Sequence, residues 1–308
     1  MRPQLFSLAG EGFPAYFVLL VSGFLLATYV QAATAKQHGF DPDAMVSLGI
    51  SMLIWGVIGS RLLHVLADGY LWDYVHLCTD PTQVDWRIER AECLSERYQG
   101  IWDAERSVCH PSATDCFAWA KFWAGGLTYY GGFLGASGAA VFSLRRDRFP
   151  FWRAADIAAT TIPLGLAFGR MGCLLAGCCF GSECALPWAL SFPPRSPAAT
   201  AQLEHGALAG ARLWSNPVHP TQIYEALVSL AIAAVCILWV APRKRYDGQV
   251  FVVFLGSYAI GRALLETLRR DERGGLLGLS TSQAIGVLLV LAAFALHRMR
   301  GAKEMEAT

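Results

Sequence analysis

Residues 15–34 read AYFVLLVSGFLLATYVQAAT, twenty positions without a charged side chain. A helix needs about 20 mostly apolar residues to cross the hydrocarbon layer of a bilayer. Six further runs of this kind follow, at residues 46–66, 127–144, 155–175, 221–240, 249–267 and 280–297. Backbone inside lipid has no water to bond, so each run is expected to close its own hydrogen bonds as a helix. The expected fold is an all-α membrane protein with seven transmembrane helices.

The composition of the 308 residues agrees: 54% are hydrophobic and only 16% charged, against about 25% charged in a soluble domain. Mean hydropathy is +0.37. A formal net charge of +1 gives no basic field to hold a phosphate polymer, so nucleic-acid binding is excluded. The first run could be a cleaved signal peptide, since Ala33-Thr34-Ala35 has small residues suited to cleavage. The segment before it argues otherwise, with Arg2 its lone basic residue and Glu11 close by.

Lys and Arg in short loops set orientation. Arg145, Arg146, Arg148 and Arg153 lie between spans three and four, and Arg243, Lys244 and Arg245 between five and six. Arg298, Arg300 and Lys303 follow span seven. All fall on one side, expected to be cytoplasmic, which puts the N-terminus and two long polar segments outside. Arg269, Arg270 and Arg273 fall on the other side and are therefore candidates for function. The organisation expected is spans one and two (1–66), a cysteine-bearing outer insert (67–122), and spans three and four (123–175). An outer head segment (176–219) and spans five to seven with a cytoplasmic tail (220–308) complete it.

Cys78, Cys93, Cys109 and Cys116 lie in the insert, where an oxidising compartment favours two disulfides with three possible connectivities. Cys173, Cys178, Cys179 and Cys184 form a second cluster. A zinc site there would be the sharper reading, but no C-x-x-C pair is present. One or two disulfides pinning the loop are the plainer reading. A reactive thiol at Cys173 or Cys178 is a third.

Ionisable groups inside spans are costly and mark function by default. Arg61 lies in span two, Arg170 near the outer end of span four, and Glu225 at the outer start of span five. Arg262 and Glu266 share a face of span six, with Arg269 one turn on. Singly, these read as snorkelling arginines or an intrahelical ion pair. Several arginines near one end of a bundle suit a phospholipid headgroup, because Arg pairs bidentately with phosphate. No cofactor is expected. Gly125, Gly126, Gly131, Gly132 and Gly135 open a span rather than follow a strand, so they are not a nucleotide loop.

These residues carry a resemblance to the bacterial phosphatidylglycerol–prolipoprotein diacylglyceryl transferases. Tyr16 with Gly23-Phe24 resembles that family's first helix and Gly59-Ser60-Arg61-Leu62 its second. Trp123-Ala124-Gly125-Gly126-Leu127-Thr128-Tyr129-Tyr130-Gly131-Gly132 resembles the re-entrant stretch before the third. Ile162-Pro163-Leu164-Gly165, then Gly169-Arg170-Met171-Gly172 through Gly181, is similar to the signature motif. His219-Pro220-Thr221-Gln222-Ile223-Tyr224-Glu225 is nearly the family string, and Tyr258, Arg262, Glu266 and Arg269 resemble the sixth helix. The family usually has His at the position of Tyr130, Asn at Cys173 and Ala176, and Glu at Cys178.

The resemblance implies transfer of diacylglyceryl from phosphatidylglycerol to the lipobox cysteine of prolipoprotein signal peptides, in the inner membrane, with release of glycerol phosphate. Arg170 and Arg262 would hold the phosphate, with Arg61 and Arg269 as supports. Glu266 would orient Arg262, while His219, Glu225 and Tyr16 would shape the outer end. Tyr130 stands where the proton acceptor would be. A tyrosine of ordinary pKa about 10 is a poor base at neutral pH unless positive charge lowers it, so Tyr130 is either an activated base or a headgroup ligand. Two alternatives remain: a paralogue using another lipid or acceptor, and a non-enzymatic membrane protein on the same bundle.

Overall fold

The computed structural model describes all residues except 1–3, 9–10, 68, 96–97, 123–125, 211, 270–274, 277–278 and 308. Trp123, Ala124, Gly125, Arg270 and Arg273 therefore lie outside the described residues. The chain divides into two compact units, Met1–Ser47 with Asp147–Thr308, and Leu48–Arg146.

The first unit opens with an antiparallel hairpin, β1 (Gln4–Leu8) and β2 (Glu11–Pro14), leading into α1 (Ala15–Gln37). The next helix, α2 (Pro42–Ala67), starts here. The centre of this unit is a later helix, Phe151–Ala176, which packs against α1, against a helix beginning at Thr221 and against Gln249–Glu266. Small residues make the close approach to α1 possible. A Cβ at Gly23 would lie 2.5 Å from Phe168 Cβ, so only glycine lets these helices meet here. Large apolar side chains on the outer faces stay exposed, among them Leu25, Tyr29, Leu288 and Phe294. That is the surface a lipid-embedded bundle presents.

In the second unit α2 continues and is followed by α3 (Leu71–Thr79), α4 (Arg90–Cys93), and a short hairpin, β3 (Ile101–Asp103) with β4 (Val108–His110). Disulfides join Cys78 to Cys116 and Cys93 to Cys109, a nested pair around buried Val84, Cys93 and Cys109. Helix α5 (Tyr129–Arg146) completes the unit. Gly131 and Gly59 face each other closely enough that a Cβ on either would strike backbone of the other.

The first unit resumes with α6 (Phe151–Ala176) and α7 (Pro197–Glu204). Helix α8 (Thr221–Ala234) continues as a π-helical turn, Val235–Val240. Then come α9 (Gln249–Glu266), the strands β5 (Gly275–Leu276) and β6 (Leu279–Ser280), and α10 (Thr281–Ala307). Gly248 caps α9 and has no side chain to offer. Asp156 of α6 supplies the missing acceptors, taking N–H bonds from Gly248 at 2.9 Å and Phe251 at 3.1 Å and an ion pair from Lys244 at 2.9 Å.

Among the described residues, six helical segments are long and apolar enough to cross a membrane: Ala15–Gln37, Pro42–Ala67, Phe151–Ala176, Thr221–Arg243, Gln249–Glu266 and Ser282–Ala302. The run expected at 127–144 does form a helix, α5, but it falls below that threshold. Two leading tyrosines, four glycines and two closing arginines dilute its apolar residues.

Candidate active site

Helix α6 ends at Ala176, and Gly177 turns the chain with φ +73°. About 21 Å separates Asp156 from Arg170 along such a helix, so Arg170 and the turn lie at the end far from the Asp156–Lys244 pair. Arg170 Nη2 meets Glu225 Oε1 at 2.7 Å, and Glu225 is buried. Tyr258 of α9 lies within electrostatic range of Arg170. Arg262, one turn beyond Tyr258, pairs with Glu266 at 2.6 Å and donates to Ser282 Oγ at 3.4 Å. Ser280 Oγ in turn donates to the other Glu266 oxygen at 3.3 Å. Each arginine is thus fixed by a buried carboxylate in a region of low dielectric, where an unpaired charge is costly.

The segment after α6 is tied to α8 and to the end of α9. Gly181 N–H donates to His219 O, His219 N–H to Ser182 O, and Ser182 N–H to Leu268 O. A Cβ at Gly181 would sit 2.7 Å from His219 Cβ and 2.8 Å from Leu268 O, so no side chain fits where the three strands of chain meet. Thr221 Oγ1 donates to Cys179 O and Gln222 Nε2 to Cys178 O, both at 2.7 Å. Trp188 Nε1 donates to Tyr224 OH at 2.7 Å, and His219 Nδ1 lies 3.5 Å from the same hydroxyl. Phe192, Ala198 and Val218 form a small core under this segment.

The second cysteine cluster departs from expectation. Cys173, Cys178, Cys179 and Cys184 are all free thiols, so the disulfides expected to pin this loop are not formed. The turn brings three of the four together without bonding them. Cys173, Cys178 and Cys179 converge, their sulfurs all within 4.8 Å of one another, while Cys184 is held elsewhere by its N–H bond to Pro217 O. Hydrogen bonds from Cys173 and Cys178, with the charges of Arg269 and Arg170, hold the Cys179 thiol well below the ordinary cysteine range. Tyr16 of α1 lies within electrostatic range of Arg170 and of all three thiols.

So the first unit gathers Tyr16, Arg170, Glu225 and Arg269 around one turn, with His219 on its backbone and the Arg262–Glu266 pair beyond Tyr258. Arg61 and Tyr130 belong to the other unit. Arg61 is 8% exposed and donates to the carbonyls of Trp119 at 2.7 Å, Ala118 at 2.6 Å and Gly126 at 3.0 Å, with Tyr74 under its guanidinium. Tyr130 stands in the first turn of α5, 58% exposed and edge-on to Tyr129. Among the buried polar residues that sequence did not single out, Gln222 and Ser229 share the Glu225 face of α8. Their spacing, three before and four after Glu225, was the available signal. Gln222 Oε1 and Ser229 Oγ have no hydrogen-bond partner among the described residues.

A sequence profile of the family described as prolipoprotein diacylglyceryl transferase matches residues 3–91 and 97–299. The chain belongs to this family. Its relatives include the phosphatidylglycerol–prolipoprotein diacylglyceryl transferase of Clostridium tetani, 25% identical over 94% of both chains. The enzyme of the same name from Corynebacterium diphtheriae is 28% identical over 93% of this chain and 89% of its own. That of Polynucleobacter necessarius is 32% identical over 58% and 62% respectively. Membership makes this chain a membrane-embedded transferase, as the ordered motifs implied.

Proposed function

We propose that the transferase moves diacylglyceryl from phosphatidylglycerol to the lipobox cysteine of a prolipoprotein signal peptide. The observation that carries this reading is Arg170, half-buried near the end of α6 and fixed by buried Glu225 from the His219–Glu225 motif. The lipobox thiol gives up its proton, and the thiolate attacks the diacylglycerol carbon bonded to the phosphate oxygen. A C–S bond forms, the C–O bond breaks with its electrons going to oxygen, and glycerol phosphate leaves. Arg170 and Arg262 hold the departing phosphate, their orientation set by Glu225 and Glu266 before the reaction begins. Arg269 adds positive charge beside them. Tyr130 takes the thiol proton or holds the headgroup. Arg61, with its guanidinium on three carbonyls, supports the chain around Gly126 rather than the phosphate.

The reading includes seven spans, with α5 as the seventh, in a bacterial inner membrane. The N-terminus, the insert and the head segment face the periplasm and the C-terminus the cytoplasm. It is tested by expressing the chain in a transferase-depleted strain and weighing a model lipoprotein. Growth and a mass gain of one diacylglyceryl group are expected. An inserted protein that gives neither overturns the assignment. A paralogue using another acceptor is favoured by Tyr130 and by the thiols at 173 and 178, and a diacylglyceryl gain on a different thiol protein would select it.

A further inference from the structure

The three converging thiols take no part in the transfer just described. Their sulfurs lie within 4.8 Å of one another. A tetrahedral zinc ion with Zn–S bonds of about 2.3 Å holds its sulfurs about 3.8 Å apart, so small side-chain rotations close the set. The backbone is already organised for it. Cys179 sits at φ +62°, a left-handed conformation costly for a residue with a side chain. It is retained while Thr221 and Gln222 clamp the carbonyls of Cys179 and Cys178. Cys173 comes from the last turns of α6, so a rigid helix supplies one sulfur and the clamped turn supplies two.

The surroundings suit thiolates. Arg170 and Arg269 act on Cys179, and a metal tris-thiolate carries net negative charge for them to balance. On the amide that clamps Cys178, Gln222 Oε1 is buried with no partner among the described residues, an acceptor suited to a metal-bound water. A disulfide is the competing fate, yet any one disulfide leaves the third thiol stranded, whereas one metal ion engages all three. The same chain closes both disulfides of its insert and leaves these sulfurs unbonded.

We propose that Cys173, Cys178 and Cys179 form a three-sulfur site for a thiophilic closed-shell metal ion such as zinc(II). Zinc enters as the thiol protons leave to solvent. The site stitches the end of α6 to the turn that carries the head segment.

The test uses the full chain in detergent, kept reduced without a thiol reagent and dialysed against buffered Zn2+. Metal content is measured per chain, and each cysteine's alkylation rate is followed by mass spectrometry. On the order of one Zn2+ per chain is expected. Because the thiolate is the reactive form, zinc should slow alkylation of Cys173, Cys178 and Cys179 about ten-fold or more. Cys184 should keep its rate. Cys178→Ser should lose the metal and Cys184→Ser should keep it. Unchanged alkylation rates in the unmutated chain overturn the site whatever the variants do. So does a Cys178–Cys179 disulfide in the isolated chain that, once reduced, takes up no zinc. Lipoprotein modification by the same preparation keeps the two readings apart: transfer without zinc binding removes only the metal site, and zinc binding without transfer removes only the transferase assignment.

Discussion

At the scale of single residues, the difference between Arg170 and Arg61 is chemical. Both are arginines in apolar runs, and sequence marked both for phosphate. Arg61 donates to three backbone carbonyls, while Arg170 faces a carboxylate. An arginine in lipid must satisfy its donors somewhere, and sequence carries no sign of whether carbonyl or ligand will do it. For Arg170 the partner is Glu225, a residue sequence marked only for shaping the outer end. Arg170→Lys keeps charge opposite Glu225 but loses the planar fork. It should insert and melt like the parent, while transfer falls about 30-fold or more, the equivalent of 2 kcal/mol or above for a lost buried phosphate contact. Near-parental turnover would remove Arg170 from phosphate binding. Tyr130→Phe separates the two roles left for that hydroxyl. As a base its loss should cost about 100-fold, and raising the pH should partly restore transfer because the substrate thiol ionises near pKa 8.5 unaided. A mild, pH-independent loss would assign Tyr130 to the headgroup.

At the scale of elements, the helices were legible because lipid forces apolar runs into them. Their ends were not. Nothing in the apolar pattern shows that α9 begins at a glycine capped by Asp156 from another helix, or that basic residues after α8 are locked by acids. Asp247 is partly desolvated, which opposes ionisation, yet hydrogen bonds from Arg153 and Lys244 hold its carboxyl below the usual range. A carboxyl lowered in the folded state stabilises it above the unfolded pKa, about 3.9, and loses that effect as pH falls through the folded value. Asp247→Asn should therefore melt below the parent at about pH 6, and the gap should close as the pH drops below about 4. A gap that stays constant with pH would mean the loop is held by something other than this carboxylate. The cysteine turn fits the same pattern. Its spacing was visible, but the convergence of three sulfurs depends on Gly177 and the clamps from α8.

At the scale of the whole molecule, one orientation has to satisfy the basic loops, the disulfides and the site together. In the proposed orientation, the arginines and lysines at 145–153, 243–245 and 298–303 face the cytoplasm. The same proposal puts the insert between α2 and α5 in the periplasm, where disulfides persist. The outer bridge, Cys78–Cys116, closes a separation of 38 residues, a constraint worth about 4 kcal/mol against the unfolded chain. It matters most in a segment whose buried core is little more than Val84, the inner disulfide and His110. The two bridges also grade access: Cys116 is exposed, while Cys93 and Cys109 are fully buried. In sealed spheroplasts, mild reduction followed by a membrane-impermeant maleimide should therefore label Cys116 first. Cys93 and Cys109 should follow only after stronger reduction, and Cys236, buried beside α9, should stay unlabelled until the chain is denatured. Labelling of Cys116 only after lysis would turn the molecule over. The insert would then lie in a reducing compartment, where its two disulfides would not persist.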